Sequence, residues 1–329
     1  MKPDSRILVC GARGLAGSAI VRCLRDQAYE NILEPSHAAV DYTDRQAVEQ
    51  YFRETEPEFV FVAAARVGGI LANRDHPAEF IRDNLAIELN IIDAAFNHGV
   101  KKLLMLGSSC IYPRDCPQPI REEYLLTGPL EPTNAAYAIA KIAGIALCQS
   151  YMKQFGARYI SAMPTNLFGP GDNFDLQSSH VIPALMRKFH EAKVASAKFV
   201  SVWGSGTPRR EFLYVDDLAH ACHFLMNEYE SGDHINVGVG KDITVGELAT
   251  LIAEVVGYEG HIKFDPTKPD GTPRKLLDVS RINQLGWSAT TSLREGLVRT
   301  YDWYLKSPAA PSQRASVRRA ESGHESARR

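Results

Sequence analysis

A chain of 329 residues carries 37 Lys and Arg against 39 Asp and Glu, a formal net charge of −2 that offers no overall electrostatic footprint for nucleic acid or an anionic membrane surface. With 45% hydrophobic and 23% charged residues, and no apolar run near the ~20 residues of a spanning helix, the composition excludes a disordered or membrane-spanning chain. The length exceeds the ~150 residues of an average domain, so one large α/β unit or two sub-domains is expected, and the lack of a signal-peptide core at the start points to the cytoplasm.

In the first half, short apolar runs alternate with helical patterns. Residues 6–10, 59–63, 102–106 and 159–163 read as strands buried on both faces, with helices over 15–27, 44–54, 77–97 and 135–155. This β-α-β-α order predicts a Rossmann-type, doubly wound parallel sheet, with a dinucleotide-binding domain over 1–165. Residues 166–306 carry longer loops rich in Gly, Pro and Asn and are expected to form mainly a smaller substrate-binding region, with segments around 210–240 returning to the first domain. Residues 307–329 contain five Arg, two Glu and no aromatic residue, and read as a disordered, weakly basic tail. The six cysteines, Cys10, Cys23, Cys110, Cys116, Cys148 and Cys222, show no C-x-x-C pair and read mostly as free thiols.

Directly after the first strand stands Gly11-Ala12-Arg13-Gly14-Leu15-Ala16-Gly17, opening an amphipathic helix. Glycines there permit a tight turn, let backbone N–H groups reach a pyrophosphate and allow helix and strand to pack closely. The residues leave two cofactors open. Glu34 could accept an adenosine 2′-hydroxyl, as for NAD(H), whereas Arg13 could pair with a 2′-phosphate, and the latter favours NADPH.

Further on, Tyr137 and Lys141 lie four residues apart on one helix face, and Leu106-Gly107-Ser108-Ser109 ends a strand at the carboxyl edge. A cation near a tyrosine is expected to lower its pKa from ~10 and make it an acid/base at neutral pH. Read alone, Tyr137 and Lys141 could be a surface pair, Cys110 a small buried hydrophobe and His180 a helix-start residue. His220-Ala221-Cys222-His223 reads as a helix face rather than a metal site, having no third ligand.

With G-x-x-G-x-x-G, the upstream serine and Tyr-x-x-x-Lys, the sequence resembles the extended short-chain dehydrogenase/reductases. A narrower resemblance, to the GDP-4-keto-6-deoxy-D-mannose 3,5-epimerase-4-reductases (the GDP-L-fucose synthase family), is carried by Ala65–Ile70, Leu106–Pro113, Glu131–Asn134, Tyr137–Gly144, Met163–Leu167, Ser179–Ala184, Trp203–Phe212 and Lys268–Lys275. It spans roughly residues 6–305. Two departures are Ala12, where relatives often have histidine, and Pro35-Ser36-His37, where they often have an arginine-containing segment; Arg13, with His37, is then left for the 2′-phosphate.

The resemblance implies a catalytic set of Ser108, Cys110 (base), Tyr137, Lys141 and His180 (acid). It places NADPH on Gly11, Arg13, Gly14, Leu15, Ala16, Gly17, Asp41, Leu106, Gly107, Ser108, Ser109, Tyr137, Lys141, Pro164, Thr165, Asn166, Leu167 and His180. The substrate, GDP-4-keto-6-deoxy-D-mannose, falls to Asn166, Lys188, Trp203, Arg210 and Asp270, with no metal. Arg187, beside Lys188, could instead reach a phosphate. The helices over 77–97 and 135–155 are expected to pair in a homodimer, as the resemblance implies. The alternatives are another nucleotide-sugar epimerase, dehydratase or reductase of the same family, and a non-catalytic cofactor-sensing protein. A dehydratase would want a carboxylate near the serine, where Ser109 and Cys110 stand.

Overall fold

The computed structural model describes residues 1–176, 178–268 and 270–308; the tail expected over 307–329 falls outside these from residue 309 on. The first half runs β1 (Ile7–Cys10), α1 (Leu15–Asp26), β2 (Ile32–Leu33), α2 (Arg45–Thr55), β3 (Phe59–Val62), α3 (Ile70–Asp75), α4 (Pro77–Asn97), β4 (Lys102–Leu106), α5 (Ala135–Phe155) and β5 (Tyr159–Pro164). The remainder adds β6 (Asn166–Phe168), α6 (Val181–Val194), β7 (Phe199–Trp203), β8 (Arg209–Tyr214), α7 (Val215–Glu228), β9 (Ile235–Val237), β10 (Asp242–Thr244), α8 (Val245–Val256), β11 (His261–Asp265), β12 (Arg274–Lys275), α9 (Ser280–Gln284) and α10 (Leu293–Lys306).

Among the described residues, six parallel strands form one sheet in the order β2-β1-β3-β4-β5-β9. The strand period of two sends Ile7 and Val9 into a core shared with α1 and α7, while Leu8 and Cys10 join α2, α4 and α5 on the opposite face. Every residue of β1 and β4 is therefore buried, as unbroken apolar runs require of strands covered on both sides. Lys102, the exception in composition, carries its ammonium to the end of α7, donating to the Tyr229 carbonyl at 2.6 Å and pairing with Glu230 at 3.0 Å.

A second apolar cluster is built by Phe168 and Phe212 with side chains of α6, α8 and α10. It surrounds β8, which pairs with β6, β10 and β12. The chain crosses from one sheet to the other at Thr165, whose N–H donates to the Val237 carbonyl at 3.0 Å, and Asn166 Nδ2 then donates to the Glu211 carbonyl at 2.8 Å. The buried Glu211 carboxylate accepts N–H bonds from Val239, Gly240 and Leu277 at 2.6–2.9 Å, fixing β8 against the sheet's carboxyl edge. The edge and β8 thus face each other across a cleft.

Candidate active site

The cleft is a cavity of about 1670 Å³, above the ~300–1,000 Å³ typical of a site for one small ligand. Its floor is the switch point where the chain leaves β1 toward β2 on one side and returns in β3 on the other. At that point Gly11 has φ +80°, and a Cβ there would lie 2.7 Å from the Ala64 nitrogen. A Cβ at Gly17 would lie 2.1 Å from the Gly11 carbonyl, so α1 can start this close to the turn only with glycine there. The helix N-cap, Gly14, provides no side-chain cap and the first turn has no acidic residue, leaving N–H donors directed at the cavity. This cradle fits a dinucleotide pyrophosphate.

Gly11, Arg13, Gly14, Leu15 and Ala16 line the cavity, and its far end is formed by Pro35, Ser36, His37 and Asp41. Glu34 is not in that wall; it pairs with Arg25. The Asp41 carboxylate accepts from the Thr43 N–H and hydroxyl at 2.9 and 2.8 Å, bonds that hold its pKa below the usual range.

Strand β4 ends at Leu106, and Ser108 caps a short 3₁₀ turn over Ser109–Ile111 by accepting the Cys110 N–H at 3.3 Å. This tight turn brings Ser108 and Cys110 to the cavity wall beside Tyr137. The Ser108 side chain also acts on the Tyr137 phenol, drawing its pKa down. Lys141, one helical turn on, lies behind the wall at 2% exposure; its ammonium donates to the Leu106 carbonyl at 3.0 Å and stands 5.8 Å from the Tyr137 ring centre. Burial raises the Tyr137 pKa and outweighs the opposing pull of Lys141, so the expectation of a net lowered phenol is corrected. In a site this dry, desolvating the phenolate costs more than one cation at that distance returns.

Cys110 Sγ receives a hydrogen bond from Asn134 Nδ2 at 3.3 Å and faces the Lys275 ammonium at 3.6 Å. Sequence reasoning did not assign these two, although both stand within quoted motifs. Lys275 lies 165 positions from Cys110, and only the pairing of β12 with β8 brings them together. His180 also opens into the cavity, as the N-cap of α6, where desolvation lowers its pKa. Glu131, also in the wall, is engaged by Thr133 and Arg114.

Pro164, Thr165, Asn166 and Leu167 form the wall between these groups and β8. Lys188, Trp203 and Arg210 line its outer part, with the Lys188 ammonium 5.3 Å from the Trp203 ring centre. Burial lowers the pKa of both Lys188 and Arg210. The neighbouring cations point elsewhere: Arg187 pairs with Glu191 and Arg209 with Asp242. Asp270 is not in the lining, its carboxylate accepting from the Ser205 N–H and hydroxyl at 2.7 and 2.8 Å and its carbonyl from Arg210. Gly17 and Leu106 likewise support the wall from behind. His223, on α7, bonds the Tyr29 hydroxyl at 3.0 Å, away from the site.

A glycine cradle at the switch point of a parallel sheet, with a serine and a tyrosine in the cavity wall and a lysine buried behind them, defines a nicotinamide-dependent sugar-nucleotide epimerase/dehydratase fold. Residues 7–238 match the NAD dependent epimerase/dehydratase family, and the chain belongs to it. It is 58% identical to GDP-L-fucose synthase 1 of Arabidopsis thaliana, over 92% of this chain and 94% of that one. To GDP-L-fucose synthase of Escherichia coli (strain K12) it is 53% identical, over 92% and 97%. The solved structure of a GDP-L-fucose synthetase from Naegleria fowleri bound to NADP matches with TM-score 0.87 at 31% identity, covering 93% of this chain and 94% of that one.

Proposed function

We propose that the chain converts GDP-4-keto-6-deoxy-D-mannose to GDP-L-fucose, by epimerisation at C3 and C5 followed by NADPH-dependent reduction of the C4 ketone, as a cytoplasmic homodimer. The relatives' names support the substrate. The observation that carries the reading is that Cys110 and His180 face the same cavity as Ser108 and Tyr137.

C3 and C5 both neighbour the ketone, so each can be inverted by removing a proton from one face and returning one to the other. Cys110 is the base and His180 the acid. The enolate oxygen that forms is stabilised by donors already aimed at it, Ser108 and Tyr137. Reduction follows epimerisation, because loss of the ketone removes the acidity of both carbons. Tyr137 then gives its proton to the C4 oxygen.

NADPH, when bound, supplies the hydride. The Gly11–Gly17 turn and the α1 N-terminus hold its pyrophosphate, Arg13 with His37 its 2′-phosphate, and Lys141 its nicotinamide ribose. Lys188 and Arg210 serve the GDP phosphates, Trp203 offers an aromatic face, and Asn166 and Asp270 complete that wall, Asp270 through Ser205 and Arg210.

The test is reaction with GDP-4-keto-6-deoxymannose and NADPH in D₂O, for the natural chain and for Cys110→Ser. Deuterium at C3 and C5 with one NADPH oxidised per product is expected, and in Cys110→Ser the exchange should fall by about 10²–10⁴. Oxidation of NADPH without exchange would instead make the chain a simple ketoreductase.

A further inference from the structure

The site's cation stands on a carboxylate that none of the roles above uses. Glu88, on α4, places Oε1 2.9 Å from the Lys141 ammonium, and both side chains are 2% exposed. Neither carboxylate oxygen meets a hydrogen-bond donor in good geometry among the described residues, so the charge of Lys141 is what balances the buried carboxylate. The packing is shaped around this carboxylate: a Cβ on Gly144 of α5 would fall 2.3 Å from Oε2 and 2.4 Å from the end of the Met105 side chain. Buried ion pairs cost several kcal/mol per ion in desolvation, and well-packed apolar replacements are often as stable. Stability alone is therefore a weak reason for this pair, whereas the position of its cation under Tyr137 is a specific one.

We propose that Glu88 is a positioning residue for the cofactor and the reduction step, holding the Lys141 side chain as a fixed cation between the Leu106 carbonyl and the Tyr137 ring. This rests on the reading of Lys141 as the group that meets the nicotinamide ribose. The Leu106 carbonyl takes one of the three ammonium protons, and the Glu88 carboxylate pairs with the ammonium from α4.

The electrostatics agree with the geometry. Burial by itself would lower the Lys141 pKa, but Glu88 and Tyr137 outweigh it and the net shift is upward. The other titratable groups at the pair are Tyr137 and Cys148 from α5 and Cys110 from the turn after β4. Tyr137 is raised by burial, and Cys148 is pushed up to about 12 by burial, so neither changes charge between pH 7 and 9. Removing the Glu88 charge would leave Lys141 with desolvation as its dominant influence, and the ammonium would lose its proton at lower pH.

NADPH binding, read by protein fluorescence from pH 7 to 9, tests this in the natural chain, Glu88→Gln, Lys141→Met and the double variant Glu88→Gln/Lys141→Met. Between the natural chain and Glu88→Gln, the affinity ratio should grow with pH, reaching about tenfold at pH 9 for each unit by which the lysine pKa drops below that pH. Lys141→Met and the double variant should bind NADPH equally, since Glu88 acts only through the lysine. A ratio constant with pH, or a further loss in the double variant equal to that of Glu88→Gln alone, would reduce Glu88 to a clasp between α4 and α5 and overturn the proposal. Should Glu88→Gln not fold, the comparison of Lys141→Met with the double variant, which contains no unpaired buried charge, decides it. Because the readout is cofactor binding, a failed D₂O experiment would overturn the assigned reaction and leave this result standing.

Discussion

Tyr137 is pulled in two directions, upward by burial and downward by Lys141 and the Ser108 hydroxyl, and burial wins. A phenol that keeps its proton is unsuited to be a base at neutral pH and suited to donate to an alkoxide forming on C4. Tyr137→Phe should accordingly cut NADPH-dependent reduction by about 10²–10⁴ while NADPH affinity stays within a few-fold, as measured by single-turnover absorbance and by fluorescence titration. The sign of the shift also fixes the pH dependence. With a folded pKa above ~10, Tyr137 holds its proton from pH 7 to 9, so the single-turnover reduction rate should show no loss from this group there. A decline with a midpoint below pH 9 that vanishes in Tyr137→Phe would contradict this. His180, open to the cavity, shifts the other way through desolvation, so its imidazolium becomes the major form only below ~6.5.

At the scale of elements, α4 and α5 are joined through a glycine that helix propensity alone would replace. Ala is favoured over Gly in a helix interior by about 0.8–1 kcal/mol, yet a Cβ on Gly144 meets Glu88 Oε2 at 2.3 Å and Met105 behind it. Overpacking of this kind typically costs about 1–3 kcal/mol, enough to exceed the propensity gain. Gly144→Ala should therefore lower the denaturant midpoint, whereas Ser150→Ala, on the exposed side of α5, should shift stability by no more than about 0.5 kcal/mol. A stabilised Gly144→Ala would mean that α4 and α5 can separate freely. These same elements show what a sequence makes legible. The ranges 77–97 and 135–155 coincide with α4 and α5, and 102–106 with β4, because a long helical pattern and an apolar run buried on both faces are each signalled locally. The two half-buried residues of β2 give no such run. Ser108, Tyr137 and Lys141 were readable because spacing and strand position carry them. Glu88 and the Lys275–Cys110 contact were not, since each depends on which face of one element meets another distant in sequence.

Over the whole molecule, the outward face of α4 and α5 is less polar than a solvated surface requires. Leu85, Leu89 and Phe96 recur along α4 at helical spacing and are exposed, as are Ile139 and Phe155 on α5, while the charged Glu88 points inward between Leu85 and Leu89. This stripe is the surface through which the proposed homodimer would form, by a two-fold axis that sets each helix pair against its copy. Leu89 and Ile139 are 46% and 47% exposed in the single chain, so about half of the ~1.5–3 kcal/mol available from burying each remains for association. Two such positions in each of two copies amount to at least about 3 kcal/mol, or roughly a hundredfold in the dimer dissociation constant. Leu89→Arg/Ile139→Arg adds the desolvation of charges and should yield monomers in sedimentation equilibrium, with the natural chain at twice the single-chain mass. Because both side chains already face solvent within one chain, the monomeric variant should keep its helical circular dichroism and bind NADPH. A natural chain that sediments at the single-chain mass would leave the stripe without the partner proposed for it, and a variant that unfolds would show that the two helices pack more tightly within the chain than their exposure implies.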